Sequence, residues 1–196
     1  MGSSLRRRCP RATHRRLDVG LTDALACTRC GLSTTRTNVV LGSGPQNAQI
    51  LLIGEAPGRH EDEGGEPFIG RSGQLLFRLI GEEMGRQRDE CFVTNVVKCR
   101  PPGNRTPRRG EITACRDWLD IQRRDLRPAV TLTLGLTATH AVLGVREPMD
   151  SLHGRPVTTE AGVVIPTYHP AAALRQGPSV ERVMRADLQV ARSFLP

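Results

Sequence analysis

Four short runs of apolar and β-branched residues recur along the chain. They read AQILLIG (48–54), CFVTNVV (91–97), AVTLTLG (129–135) and GVVIPTY (162–168). Each run is short and nearly continuous in apolar or β-branched residues, as is typical of strands that are covered on both faces. The pattern therefore predicts four strands of a mostly parallel sheet.

Helical periodicity marks the segments that lie around these strands. The predicted helices span 17–27, 72–85, 106–126, 136–144 and 179–195. Ser72, Thr106 and Ser179 are the predicted N-caps, because their hydroxyls can accept a hydrogen bond from a free amide of the first turn. The segment 54–70 is rich in Gly and Pro and is predicted to be a loop.

Strands that alternate with helices predict an α/β fold, here a three-layer α/β/α sandwich on a mostly parallel four-stranded sheet. The length of 196 residues fits one domain, predicted over 17–196. Residues 1–16 are basic and lack an apolar pattern, and they are predicted to form a disordered arm.

No apolar run approaches the roughly 20 residues of a membrane span, and no apolar stretch follows the first arginines as in a secretory signal. We expect a cytoplasmic, nucleoid-associated protein with no membrane partner that acts as a monomer.

The net charge of +8 favours a polyanionic partner, above all nucleic acid. Lys98 is the only lysine, so the arginine excess could equally reflect a coding bias. Aromatic residues make up 3% of the chain, which argues against a protein that stacks bases on several rings.

Chemistry-bearing residues follow the predicted strands at their carboxyl ends, where open parallel sheets bind ligands. These candidates are Glu55, Ala56, Gly58, Asn95, Gly135, Thr137 and His169, with Phe68 nearby. An ordinary explanation exists for each one: Asn95 could brace a loop, His169 could be a loop histidine and Phe68 could be a core residue. Together they predict a site for a flat polar ligand. No phosphate-binding glycine motif accompanies them.

Six cysteines give a sharper signal. Cys9 lies in the basic arm and Cys91 opens a strand, where it is predicted to be a small core residue. The four candidate metal ligands are Cys27, Cys30, Cys99 and Cys115. Four thiolates in this arrangement suit tetrahedral zinc or an iron–sulfur cluster, and the spacing leaves both open.

Four segments resemble the motifs of the iron–sulfur uracil-DNA glycosylases, known as family 4. They are GEAPGRHEDEGGEPFIGRSGQLL, TNVVKCRPPGNRTP, ACRDWL and YHPAAALR. The resemblance extends from about Cys27 to the C-terminal helix. It implies the uracil-DNA glycosylase α/β/α fold and an enzyme of base excision repair. Such an enzyme flips uracil out of DNA and hydrolyses the N-glycosidic bond, which leaves an abasic site.

The same resemblance implies roles for the site residues. Phe68 matches the aromatic residue that stacks on uracil, Asn95 the amide that pairs with its edge, and His169 the donor to uracil O2. Ala56 and Gly58 lie in the motif that lines the pocket. Two acidic positions of the first motif are matched by Glu55 and Glu61, one of which we expect to position water or stabilise the sugar cation. Relatives with other motifs have Asp at the position of Ala56, so water activation here is expected to be weaker or to come from elsewhere.

The resemblance also implies a structural [4Fe–4S] cluster on Cys27, Cys30, Cys99 and Cys115. It places Arg100, Arg105 and Arg175 near DNA phosphates, whether the DNA is single- or double-stranded. The segment after His169 is expected to be a loop that presses into the duplex, with Leu174 as its wedge.

Two alternatives remain open at this point. A relative that binds uracil in DNA covalently would carry a histidine in the basic loop after the second strand, and CRPPGNRTPRRGE contains none. A zinc-stabilised DNA-binding module without catalysis would leave Asn95, His169 and Phe68 without a role.

Overall fold

A parallel sheet forms the middle layer of the protein. The structure is a computed structural model that describes residues 21–196. The strands are β1 (Ile50–Gly54), β2 (Cys91–Asn95), β3 (Val130–Leu134), β4 (Val157–Thr159) and β5 (Gly162–Thr167). Their order is β2-β1-β3-β5-β4, and every neighbouring pair is parallel except β4 with β5.

Eight α-helices surround or connect these strands among the described residues. They are α1 (Thr22–Leu25), α2 (Arg59–Gly64), α3 (Arg71–Met84), α4 (Arg109–Leu126), α5 (Leu136–Leu143), α6 (Met149–Leu152), α7 (Pro170–Gln176) and α8 (Pro178–Arg192). Short 3-10 turns cover Gly31–Thr34, Arg88–Glu90 and Pro102–Asn104.

Two cores, one on each face of the sheet, confirm the three-layer sandwich. Alternate residues of a strand point to opposite faces. Ile50 and Leu52 therefore pack with α3, α7 and α8, whereas Leu51 and Ile53 pack with α1, α4 and α5. All residues of β1, β2 and β3 are buried, which explains why these strands consist largely of apolar and β-branched residues.

The sheet has five strands within the part of the chain that the structure describes, so the expectation of four was one short. The additional strand β4 is a three-residue edge strand, partly exposed and rich in threonine, that pairs antiparallel with β5. A short half-exposed strand lacks the continuous apolar signal by which the other four were found. On the opposite edge, an isolated antiparallel bridge joins Ser43 to Val93 of β2.

The stretch 54–70 was also predicted wrongly as a loop throughout, because α2 lies within it. Gly58 precedes this helix and Gly65 ends it in a left-handed conformation. The glycines therefore stand at the helix ends, where they are tolerated, and not in its interior.

Three predicted N-caps are each wrong by two residues. Ser72 and Ser179 lie inside helices that begin after Gly70 and Gly177, neither of which supplies a side-chain cap. Thr106 precedes its helix, which starts after Arg108, because the Glu111 carboxylate accepts the Arg108 amide hydrogen at 2.7 Å. Of the predicted helix over 17–27, only Thr22–Leu25 is helical among the described residues, so the helix ends two residues before Cys27. Residues 17–20 and the predicted arm over 1–16, including Cys9, lie outside the described residues.

Candidate active site

A cavity of about 510 Å³ opens at the carboxyl edge of the sheet. In the sheet, β2 lies on one side of β1 and β3 on the other, so the strand order changes direction between β1 and β3. Open α/β sheets bind ligands at such a switch point. Residues that follow four strands line the cavity. They include Glu55, Ala56 and Gly58 after β1, Asn95 of β2, Gly135 and Thr137 after β3, and His169 after β5, together with Glu61 and Phe68. The structure thus brings together all the predicted substrate-binding and catalytic residues.

Asn95 is the last residue of β2, and only 1% of its surface is exposed. Its side-chain oxygen Oδ1 is buried and has no hydrogen-bond partner within residues 21–196. An unsatisfied buried acceptor costs about 1–3 kcal/mol. An atom of this kind that lines a cavity is suited to accept a hydrogen from a bound ligand.

Gly54 makes room for this amide from the neighbouring strand. A Cβ atom at Gly54 would lie 2.4 Å from Asn95 Oδ1 and 2.6 Å from the Phe68 ring, closer than real Cβ contacts come. Residue 54 must therefore lack a side chain for the amide and the ring to share one side of the cavity.

Phe68 is held in a left-handed backbone conformation, with φ of 55°, that bulky residues rarely adopt. The Arg88 guanidinium fixes this turn by donating to the carbonyls of Phe68 at 3.1 Å and Pro67 at 2.6 Å. The Phe68 ring is tilted by 31° to the His169 ring, and their centroids are 5.7 Å apart. Sequence reasoning missed Arg88, since one arginine among many carries no signal.

His169 precedes α7, and its ring orientation follows from one hydrogen bond. Nδ1 accepts the backbone N–H of Ala171 at 3.1 Å. The proton of a neutral ring is then on Nε2, which can donate to a ligand. Burial lowers the pKa of His169 to about 4, and Arg175 contributes in the same direction. The ring is thus a neutral donor at pH 7.

The two predicted carboxylates have different surroundings. Glu61 Oε1 accepts the backbone N–H of Gly70 at 2.9 Å, so this side chain braces the segment that carries Phe68. Glu55 lines the cavity, and its carboxylate makes no hydrogen bond or ion pair with any residue of 21–196. Glu55 is therefore the carboxylate that is free to act on water or on a cationic sugar.

The acidic residues around Glu61 are not one solvated cluster. Asp62 is buried, and its carboxylate accepts the backbone N–H groups of Thr37 at 2.9 Å and Asn38 at 3.3 Å. Glu63 is exposed and pairs with Arg59 on the same helix. Asp62 thereby ties α2 to the segment that follows Cys27 and Cys30.

The residues predicted to contact DNA differ in their exposure and in whether their charge is already paired within the protein. Arg175 lines the cavity and is exposed, and Leu174 beside it is 45% exposed. Arg100 donates to Asn104 at 2.6 Å. Arg105 also lines the cavity but forms a two-point ion pair with Glu111, at 2.6 and 2.9 Å, so much of its charge is already paired. Their contacts with DNA stay predictions.

The four predicted cysteine ligands surround one separate cavity. It is lined by Cys27, Cys30, Cys99 and Cys115, with Arg36 and Trp118 among its other walls. No group of three or more His, Cys, Asp or Glu side chains within residues 21–196 is arranged to hold a metal ion. The cavity nevertheless suits a group that accepts hydrogen bonds. The Trp118 Nε1 is buried and has no hydrogen-bond partner in the described part of the chain, and Arg36 donates to Cys99 Sγ at 3.4 Å.

Comparisons with known proteins agree with this geometry. The family model of the uracil DNA glycosylase superfamily matches residues 41–189. A type-4 uracil-DNA glycosylase of Sulfurisphaera tokodaii is 40% identical over 180 residues, which cover 88% of this chain and 81% of that protein. One of Thermotoga maritima is 41% identical over 172 residues, 86% of this chain and 89% of that protein. A type-5 uracil-DNA glycosylase of Pyrobaculum aerophilum is 31% identical over 144 residues, 65% of this chain and 63% of that protein. The chain belongs to the uracil-DNA glycosylase superfamily and, within it, to the type-4 uracil-DNA glycosylases.

Proposed function

We propose that the protein excises uracil from DNA by hydrolysing the N-glycosidic bond, leaving an abasic site for base excision repair. The observation that carries this proposal is the buried Oδ1 of Asn95, which has no partner among residues 21–196 and belongs to a residue lining the same cavity as Phe68 and His169. The named relatives support the same activity.

Selection of uracil follows from the chemistry of the Asn95 amide. Its oxygen accepts from uracil N3–H, and its nitrogen donates to uracil O4. Cytosine has an acceptor at N3 and an amino donor at C4, so both contacts become repulsive. The Phe68 ring supplies a flat apolar surface on which the extruded base stacks.

Bond cleavage leaves negative charge on the uracil and positive charge on the sugar. The neutral His169 donates from Nε2 to uracil O2, where the negative charge develops. The free carboxylate of Glu55 stabilises the sugar cation or orients the attacking water. No covalent enzyme intermediate is required.

A [4Fe–4S] cluster held by Cys27, Cys30, Cys99 and Cys115 belongs to the same proposal. The shared cavity, the four thiol ligands and the unpartnered indole N–H of Trp118 support it. When bound, such a cluster crosslinks distant segments of the chain and contributes its binding free energy to folding. The ligands come from the segment before the sheet, from the loop after β2 and from α4.

We further propose that uracil-containing DNA, single- or double-stranded, is the substrate and that one chain acts alone. The residues proposed to contact uracil line one cavity of a single chain, which supports a site that needs no second copy. Exposed arginines beside the cavity, such as Arg175, and the net charge of +8 support binding to the phosphate backbone.

The activity is tested by incubating anaerobically purified protein with an oligonucleotide that contains a single uracil, followed by alkali and a denaturing gel. We expect strand cleavage at the uracil with many turnovers and no cleavage of a matched cytosine oligonucleotide. An alkali-resistant protein–DNA adduct would instead identify a covalent uracil binder, and no reaction would favour a non-catalytic DNA-binding module.

The Asn95→Asp variant tests the role of the amide in the same assay. A carboxylate cannot donate to uracil O4, so kcat/KM on uracil should fall by about 10- to 100-fold, and the preference over cytosine should shrink. Asn47→Asp is the matched control, since Asn47 is exposed and precedes β1 at the opposite end of the sheet. Unchanged discrimination in Asn95→Asp would refute the role of Asn95.

A further inference from the structure

Lys98 is a fully buried charged residue that has no part in the proposed binding of uracil or cleavage of the glycosidic bond. It is the only lysine of the chain, and 1% of its surface is exposed. Its ammonium lies 2.7 Å from each of three oxygens: Thr94 Oγ1, the Asn95 carbonyl and Gln122 Oε1. All three acceptors are uncharged, and burial lowers the pKa of Lys98 to about 8. Burying an ammonium without a carboxylate is costly, so its three hydrogen bonds need an explanation beyond charge pairing.

One of these bonds holds the peptide group between Asn95 and Val96, which is also hydrogen-bonded at its other end. At one end of this peptide the Asn95 carbonyl accepts from Lys98 Nζ at 2.7 Å. At the other end the Val96 N–H donates to the carbonyl of Gly54 at 2.9 Å. Both polar atoms of the Asn95–Val96 peptide are therefore fixed, and with them the direction in which the Asn95 side chain leaves the strand.

The backbone of Lys98 is itself held from the other side. Its N–H donates to Cys115 Sγ at 3.3 Å, and its carbonyl accepts from Val40 N at 2.8 Å. Cys99 is the next residue in the chain and lines the cysteine cavity. Lys98 thus spans the distance between the cysteine cavity and the strand end that carries Asn95.

We propose that Lys98 is a positioning residue that orients the Asn95 amide for uracil, with its own backbone anchored at the cysteine cavity. This inference rests on the proposed uracil-DNA glycosylase activity. Binding groups must be held within about 0.5 Å of their productive geometry, and a displacement of about 1 Å can reduce the rate by about 100-fold. Loss of the Lys98 amine frees one end of the Asn95–Val96 peptide and permits such a displacement.

The test compares Lys98→Met with wild type and with Gln122→Met. Methionine keeps an unbranched apolar stem of similar length but removes all three donors. Gln122→Met removes one acceptor of the same ammonium and leaves the bond to Asn95, so it is the control for a merely structural loss. For each protein the iron content, the thermal unfolding midpoint, kcat/KM and the inhibition constant of free uracil are measured.

We expect both variants to unfold at lower temperature than wild type. Only Lys98→Met should bind free uracil about 10-fold more weakly or worse and lose about 10- to 100-fold in kcat/KM. A folded Lys98→Met protein with the uracil affinity of wild type would overturn the proposal. Equal losses of uracil affinity in both variants would do the same. Wild-type protein that leaves uracil in DNA would instead defeat the proposed function, so the two failures are distinguishable.

Lys98→Gln is the second variant if Lys98→Met does not fold. Its amide keeps a polar group near Thr94 and Gln122 but is one bond shorter than lysine and cannot reach all three acceptors. We expect the same weakening of uracil binding in the folded fraction. Failure of both variants to fold would overturn the positioning role in favour of a structural one.

Discussion

At the residue scale, the site depends on polar atoms that the protein leaves for its ligand and on neighbours that keep them in place. Asn95 and His169 were predicted from sequence because each ends or directly follows a strand. Arg88 and Lys98 were not, since their roles depend on contacts between segments that the sequence does not show to be close. The one available signal was that Lys98 is the only lysine in an arginine-rich chain.

Gly54 gives a prediction at this scale. In Gly54→Ala the added methyl group would lie 2.4 Å from Asn95 Oδ1 and would displace the amide or the Phe68 ring. We expect kcat/KM on a uracil oligonucleotide to fall by about 100-fold, as for a displacement of about 1 Å. Gly110→Ala is the control, because an added Cβ there meets nothing within 4 Å. A Gly54→Ala enzyme as active as Gly110→Ala would contradict the close approach.

His169 gives a second prediction, on pH. Its folded pKa of about 4 lies below the ordinary value of 6.5, so the unfolded chain binds more protons between these values. The contribution of His169 to stability is therefore fully present above pH 6.5 and is lost as the pH falls towards 4. Between pH 6.5 and 4, urea unfolding should show a larger loss of stability in wild type than in His169→Gln, because carboxylates such as Glu111 contribute to the loss near pH 4 in both proteins. His60→Gln, at an exposed site, should follow wild type. The kcat/KM profile of wild type should lack an inflection near 6.5, and finding one there would contradict a buried neutral ring.

At the scale of elements, strands were predicted more accurately than helix boundaries. The four runs contain β1, β2, β3 and β5, because burial on both faces favours apolar and β-branched residues at most positions. Where a helix starts depends on the backbone conformation of single residues such as Gly70 and Gly177. A serine two residues further along the sequence does not predict that start. The segment after His169 shows the same limit, since it was expected to be a loop and is the helix α7.

Leu174 on α7 gives a prediction about duplex DNA. Its side chain is 45% exposed beside the cavity and can enter the base stack when a nucleotide is extruded. We expect Leu174→Ala to lower kcat/KM about 3- to 10-fold on double-stranded DNA and to leave it unchanged on single strands, where little unstacking is needed. Leu25→Ala is the control, because Leu25 is 43% exposed on α1, which packs on the other face of the sheet. An equal loss on both substrates would argue against wedging.

At the scale of the whole molecule, the cysteine cavity joins parts of the chain that the sheet alone does not connect. Cys27 and Cys30 precede the sheet, Cys99 follows β2, and Cys115 lies on α4. Their convergence in one cavity was predicted by the C-x-x-C spacing together with the family resemblance. No pattern in the apolar residues would have indicated it.

Cys99→Ala tests this arrangement. Removal of one ligand should abolish iron binding and lower the thermal unfolding midpoint, because metal-binding free energy contributes to folding. Cys91→Ala is the matched control, since Cys91 is buried in β2 and does not line the cysteine cavity. The Cys91→Ala protein should retain its iron. A colourless Cys99→Ala protein with full stability and activity would refute the structural role of the cluster.

The covered edge of the sheet has a consequence for aggregation. β2, which carries Asn95, is an edge strand, and open edges of this kind recruit strands from other chains into fibrils. Ser43 occupies part of that edge, exchanging hydrogen bonds of 2.8 and 3.0 Å with Val93. The approach depends on Gly44, where a Cβ atom would lie 2.2 Å from the Cys91 carbonyl oxygen. A larger residue at position 44 would therefore expose the strand edge and favour insoluble assemblies, even though position 44 is remote from the chemistry.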